Sequence, residues 1–192
     1  MAATPTYRIP LGFPAPDFYL PEPRTGAFLR FQDVRGDRGT VVVFMCNHCP
    51  YVLHILDALL ETAALFKGQG IGFVGISSND VTGYPEDAPE KMAALATAKN
   101  FPFPYLYDES QAVAKAYFAA CTPDFSVFDA RNFCVYRGQF DSSRPKNDIP
   151  VTGADLKAVL NALIEGKPVP AEQAPSIGCN IKWKPGSEPY YF

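Results

Sequence analysis

Two cysteines three positions apart, Cys46 and Cys49, stand in "VVVFMCNHCPYVLHIL", residues 41 to 56, with His48 between them. That spacing suits thiol–disulfide exchange, in which one thiolate attacks a disulfide and a second sulfur within one helical turn displaces what the first has captured. An apolar run ends just before Cys46 and a helical pattern begins at Pro50, so the sequence predicts both cysteines in the first turn of a helix. Unpaired N–H groups and the helix dipole favour an anion there, which predicts a lowered pKa for Cys46. His48 is expected to add positive charge beside the same sulfur. The bland alternatives are half a zinc site, for which no second cysteine pair follows at knuckle spacing, and a buried structural pair.

Composition narrows the setting. The 192 residues fit one core, and with 47% hydrophobic against 19% charged residues there is ample apolar material to bury. Seventeen basic and 20 acidic residues give a net charge of −3 without a long block of either sign, so no nucleic-acid partner is expected. The start "MAATPTYRIPLGFPAP" lacks the pattern of a secretory signal, and no apolar run approaches the ~18 residues of a membrane span. The expectation is a cytoplasmic protein with no membrane partner. Five cysteines are too few and too odd in number for a disulfide scaffold, which leaves reactivity as their use. No cofactor and no resident metal are expected.

The elements that must position the pair follow from periodicity. "TVVVFM" (40–45) and "IGFVGIS" (71–77) read as strands covered on both faces, and Val52, Ile55, Leu56, Leu59, Leu60, Ala63 and Phe66 recur at helical spacing between them. Together they predict one right-handed βαβ unit. Upstream, "DFYL" and "AFLRF" predict an N-terminal β-hairpin. Downstream, Asp87 and Glu90 at capping-box spacing predict a helix from about Ala88 to Lys99. A short strand (104–108), a short helix around "QAVAKAYF", and a hairpin of "DFSVFD" and "FCVYRGQF" turning at Asn132 come next. Thr152 and Asp155 are expected to cap a last helix closed by Gly166. The final residues carry five prolines and no periodicity, yet also Ile177, Ile181, Trp183, Tyr190, Tyr191 and Phe192. Such a tail should pack on the core or on a partner subunit, a homodimer being the case with a second copy.

The order strand, "CNHC", helix, strand, then Thr122-Pro123 in "CTPDFSVFD" before a hairpin and final helix resembles the thioredoxin-like superfamily. The strand and helix between Lys99 and Ala120 look like the insertion of its alkyl hydroperoxide reductase and thiol-specific antioxidant branch. The segments "SSNDVTGYPEDAPEKM", "SSRPKNDIPVTGADL" and "PSIGCNIKWKPG" are similar to peroxiredoxin-like bacterial proteins. The resemblance implies an α/β, thioredoxin-like fold: a central mixed sheet flanked by helices, with N-terminal hairpin, inserted strand-helix and C-terminal tail. It places residues 1–166 in the domain and 167–192 in an extension.

The resemblance also implies roles. Cys46 matches the exposed nucleophile and Cys49 the resolving cysteine. Pro123 matches the cis-proline, whose neighbour Thr122 would offer backbone hydrogen bonds to a bound substrate chain. The Pro-x-x-x-Thr-x-x-Cys run of peroxiredoxins is not met, since counting back from Cys49 puts Cys46 and Val42 at the Thr and Pro positions. Thr40 stands where thioredoxins keep a buried acid. Disulfide exchange on a protein or small-molecule disulfide, with a thiol electron donor, is therefore the first reading. A thiol peroxidase is the alternative, followed by a soft-metal carrier using Cys46, Cys49 and His48 and by a non-catalytic binding module built on the tail. Cys121 and Cys179 are candidate accessory thiols, with packed hydrophobic cysteine preferred for each, and Cys134 is assigned to the core.

Overall fold

The computed structural model describes residues 3–192. The chain enters through β1 (Ala3–Pro5), a hairpin of β2 (Tyr19–Pro21) and β3 (Phe28–Arg30), and one helical turn, α1 (Phe31–Val34). The βαβ unit follows as β4 (Gly39–Phe44), α2 (Pro50–Lys67) and β5 (Ile71–Ser77). Next come a 3-10 turn (Pro85–Asp87), α3 (Pro89–Ala98), β6 (Tyr105–Tyr107) and α4 (Ala112–Ala116). Then β7 (Cys121–Thr122), the hairpin of β8 (Asp124–Asp129) and β9 (Cys134–Gly138), α5 (Ala154–Glu165) and β10 (Ile177–Asn180) complete the fold.

Five strands form a mixed sheet in the order β6-β5-β4-β8-β9. β4, β5 and β6 run parallel, while β8 and β9 are antiparallel additions. A parallel pair needs a long crossover, which α2 supplies. Every residue of β4 is buried because the sheet is covered on both sides. Val41 and Val43 pack into one apolar cluster with Leu59 and Phe66, and Val42 and Phe44 into another with Tyr117 and Phe128. The α2 face of Val52, Ile55, Leu56, Leu59, Leu60, Ala63 and Phe66 is buried as its spacing predicts. Each large side chain there stabilises the fold by roughly 1.5–3 kcal/mol relative to exposure. The predicted hairpins are present, and Asn132 turns the second one at φ 66.

Three local expectations are corrected. The first concerns α2, which begins at Pro50 with Cys49 as its extended N-cap (φ −69, ψ 121), so neither cysteine lies in its first turn. The residue before a proline is driven out of the helical region, which fixes the boundary between them. By the same rule Ala88, before Pro89, becomes the N-cap of α3, and Asp87 caps nothing. The third is α5, whose N-cap is Gly153 at φ 67 rather than Thr152, while Asp155 is held by Gln139 Nε2 at 2.6 Å.

After α5 the sequence patterning predicts no strand, but β10 forms the middle of a second, antiparallel sheet in the order β1-β10-β7. Gly178 makes that approach feasible, since a Cβ there would lie 1.9 Å from the Thr122 carbonyl oxygen. Beyond β10, Ile181 and Trp183 are buried. No helix among the described residues is long and apolar enough to cross a membrane.

Candidate active site

The residues from Cys46 to Cys49 join the buried end of β4 to the N-terminus of α2. Their backbone has no ladder to join, so its hydrogen bonds go elsewhere. Asp87, fully buried, is that elsewhere. Its Oδ1 accepts from the backbone N–H groups of Asn47 at 2.8 Å and His48 at 3.3 Å. Its Oδ2 accepts from His48 Nδ1 at 2.7 Å and from Asn79 Nδ2 at 2.8 Å. Asn47 Nδ2 also donates to the Glu86 carbonyl at 2.9 Å, which docks the loop onto the turn at Pro85–Asp87. The His48 ring stacks on Tyr84, with centroids 5.3 Å apart and planes 7° from parallel. With Nδ1 donating to Asp87, Nε2 is left buried without a hydrogen-bond partner among the described residues.

The sulfurs differ from expectation in exposure and in charge. Cys46 is 1% exposed and Cys49 is completely buried, so neither is an exposed nucleophile. The Cys46 thiol is held well above its ordinary value, first by its hydrogen bond to Cys49, then by burial, and by the negative charge of Asp87. Cys49 is lowered to about 5 by the Cys46 hydrogen bond, against burial, with further hydrogen bonds from Thr122 and Cys179. Position at the helix N-cap, where amides and dipole favour an anion, argues the same way. The pair is thus polarised the other way from the sequence expectation, with Cys49 rather than Cys46 the sulfur pushed toward the thiolate. Cys49 Sγ also lies 3.1 Å from the Thr122 carbonyl oxygen, a bond it donates only while it carries the proton. His48 does not point its Nδ1 at the cysteines, because the buried carboxylate is the stronger acceptor.

Thr122 and Pro123 do face the pair, joined by a cis peptide bond. Thr122 Oγ1 is 3.6 Å from Cys46 Sγ. The backbone of Thr122, however, is already paired in register with Cys179 of β10, so the edge expected to take a substrate chain is occupied by this chain's own extension. Cys179 is buried, and its thiol is pushed up to about 12, by burial first and then by Cys49. Cys121 is also buried and its thiol is raised, by burial first, with Sγ 3.6 Å from the Pro123 carbonyl oxygen.

Cys46, His48 and Asp87 offer ligand atoms within 4.8 Å of one another, the one such grouping among the described residues. A carboxylate has about four lone-pair sites. Those of Asp87 are engaged by four donors, which makes it a hydrogen-bond hub rather than an open metal ligand. Asp87 and Asn79 escape sequence reasoning. Asp87 fits a capping box by spacing, and only its position between Pro85 and Pro89 signals a separate turn.

The AhpC/TSA family profile matches residues 11–138, about two thirds of the chain. The chain belongs to the AhpC/TSA family. It is similar to an uncharacterized conserved protein of Geobacillus kaustophilus, at 54% identity and TM-score 0.95 over 96% of this chain and 98% of that one. A hypothetical protein of Sinorhizobium meliloti is 46% identical, with TM-score 0.92 over 94% and 98% of the two chains. The thioredoxin domain of a Bacteroides vulgatus thiol-disulfide oxidoreductase shares 16% identity, with TM-score 0.59 over 78% and 98%. No curated protein matches. These likenesses establish the thioredoxin-like fold, and family membership carries thiol-based oxidoreductase chemistry in general terms.

Proposed function

We propose that this AhpC/TSA-family protein is a thiol-disulfide oxidoreductase that reduces a protein or small-molecule disulfide with the Cys46–Cys49 pair and is recycled by a thiol donor. The observation that carries the reading is the convergence of both sulfurs on the residue before the cis Thr122–Pro123 bond, with Cys46 Sγ 3.6 Å from Thr122 Oγ1 and Cys49 Sγ 3.1 Å from the Thr122 carbonyl oxygen. Cys46 is the first cysteine of the pair, the position that the thioredoxin-like resemblance gives to the nucleophile, so it makes the first attack. Its proton passes along the hydrogen bond to Cys49, which then donates to the Thr122 carbonyl. The Cys46 thiolate attacks one sulfur of the substrate, forming a mixed disulfide and expelling the other sulfur as a thiolate. Cys49 gives up its proton and attacks Cys46 Sγ, releasing the second substrate sulfur. Two protein thiols are thereby oxidised to a disulfide and one substrate disulfide is reduced to two thiols. The unpartnered Nε2 of His48, fixed by Asp87, is the proton acceptor closest in character to a general base.

The test is turnover of a disulfide substrate such as oxidised glutathione. Cys46→Ser should reduce it to background, a loss on the order of 10²-fold or more. Full activity in that variant would end the reading. Oxidation of the wild-type pair by hydrogen peroxide far faster than by disulfides would replace it with a thiol peroxidase.

A further inference from the structure

β10 brings a third sulfur to the pair by a route independent of the Cys46–Cys49 spacing. Cys179 is paired in register with Thr122, and Cys49 Sγ lies 3.1 Å from that same Thr122 carbonyl oxygen, so both cysteines converge on one residue. Gly178 allows the strand to sit this close, and Cys179 joins Cys46 and Cys49 in one buried cluster. Asn79 ties the extension to the site itself: its Oδ1 accepts from the backbone N–H of Lys182 at 2.9 Å while its Nδ2 donates to Asp87. Lys182 Nζ in turn lies 5.5 Å from the centre of the Tyr84 ring that stacks on His48. The other buried thiols have no such partner. Cys121 Sγ contacts the Pro123 carbonyl and Cys134 Sγ the Tyr136 carbonyl.

We propose that Cys179 is a third redox thiol, onto which the disulfide moves from the oxidised pair. This rests on the Cys46–Cys49 reading. Cys179 sulfur attacks Cys49 Sγ, the Cys46–Cys49 bond breaks, a Cys49–Cys179 bond forms, and Cys46 leaves as a thiolate that takes the proton Cys179 gave up. The step is an isomerisation with no net oxidation, and the electrons have already gone to the substrate disulfide. It yields a second oxidised form, in which α2 is bonded to β10 and Cys46 is a free thiol. Oxidation of the pair also favours the step. The hydrogen bond and negative charge of Cys49, two of the causes that keep Cys179 protonated, vanish when Cys49 enters a disulfide, whereas the opposing charge of Lys182 stays.

The experiment is oxidation of the folded full-length protein with oxidised glutathione, trapping with N-ethylmaleimide, proteolysis and mass spectrometry of linked peptides. Wild type should yield both Cys46–Cys49 and Cys49–Cys179 links. Cys46→Ser, incubated to its oxidation end point far beyond the time of wild-type turnover, should yield Cys49–Cys179, because glutathione slowly captured by Cys49 is displaced by Cys179. Cys179→Ser should lose that link and keep Cys46–Cys49. A wild type that forms only Cys46–Cys49, together with a Cys46→Ser variant that stops at a glutathione adduct on Cys49, overturns the proposal and leaves the parent reading standing. Failure of wild type to form Cys46–Cys49 at all overturns both.

Discussion

Cys49 and Cys134 are the same residue type in the same state of burial, 0% and 1% exposed, yet their thiols are driven in opposite directions. Cys134, the first residue of β9, is pushed up to about 12 by burial, with Arg137 only partly opposing it. Cys49 is lowered to about 5 although burial acts on it too. The difference lies in what surrounds the sulfur. The backbone of Cys134 is spent on Phe13 and Gly12, whereas the start of α2 has amides to spare, and Cys46, Thr122 and Cys179 all act to lower the Cys49 thiol. Burial raises a thiol, and donors arranged around it decide whether that rise survives.

The sharpest way to break this comparison is to exchange the sulfurs for other groups. Cys49→Ser should lower steady-state disulfide reduction by on the order of 10²-fold or more and leave Cys46 trapped as a mixed disulfide seen by intact mass, while Cys134→Ala stays within about twofold. Equal losses in the two variants would remove the distinction. Asp87 tests the other member of the pair. Its charge raises Cys46, so in a Cys49→Ser background Asp87→Asn should move the midpoint of Cys46 alkylation with iodoacetamide to lower pH. An unmoved midpoint would show that the carboxylate does not act on that sulfur.

Stability carries the same contrast. A group whose folded pKa is depressed adds stability above its unfolded value, about 8.5 for a thiol. That contribution is lost as pH falls toward the folded value of about 5. Urea denaturation of the reduced protein should therefore show a Cys49-dependent gain in stability from pH 5 to pH 8.5, obtained by subtracting the Cys49→Ser profile. Cys134, whose folded value is raised, contributes no such gain and loses stability only above its unfolded value. The smallest effect is expected for Cys134→Ala at neutral pH, about 1 kcal/mol by the same denaturation, for the sulfur removed from a packed core.

Much of the frame is legible in the sequence for a local reason. β4, α2 and β5 each state their burial through period and residue type, and the exchange of one period for the other marks the site between them. The boundary errors are equally local: Cys49 before Pro50 and Ala88 before Pro89 both follow from proline's effect on the preceding residue, a rule stronger than the capping-box spacing that competes with it. The site is legible only in outline. Cys46, Cys49, Thr122 and Pro123 can be picked out by spacing and order, but Asp87, Asn79 and the pairing of Cys179 with Thr122 join residues 40 to 103 positions apart in contacts that no local pattern encodes.

By itself the sequence determines which sulfur-bearing segment sits between a buried strand and a helix, because periodicity and proline act within a few residues. Which sulfur carries the charge is decided only by the tertiary structure. A thiol's pKa is the sum of burial, donors and neighbouring charges, and here those come from the Pro85–Asp87 turn, from Thr122 and from a terminal strand far along the chain.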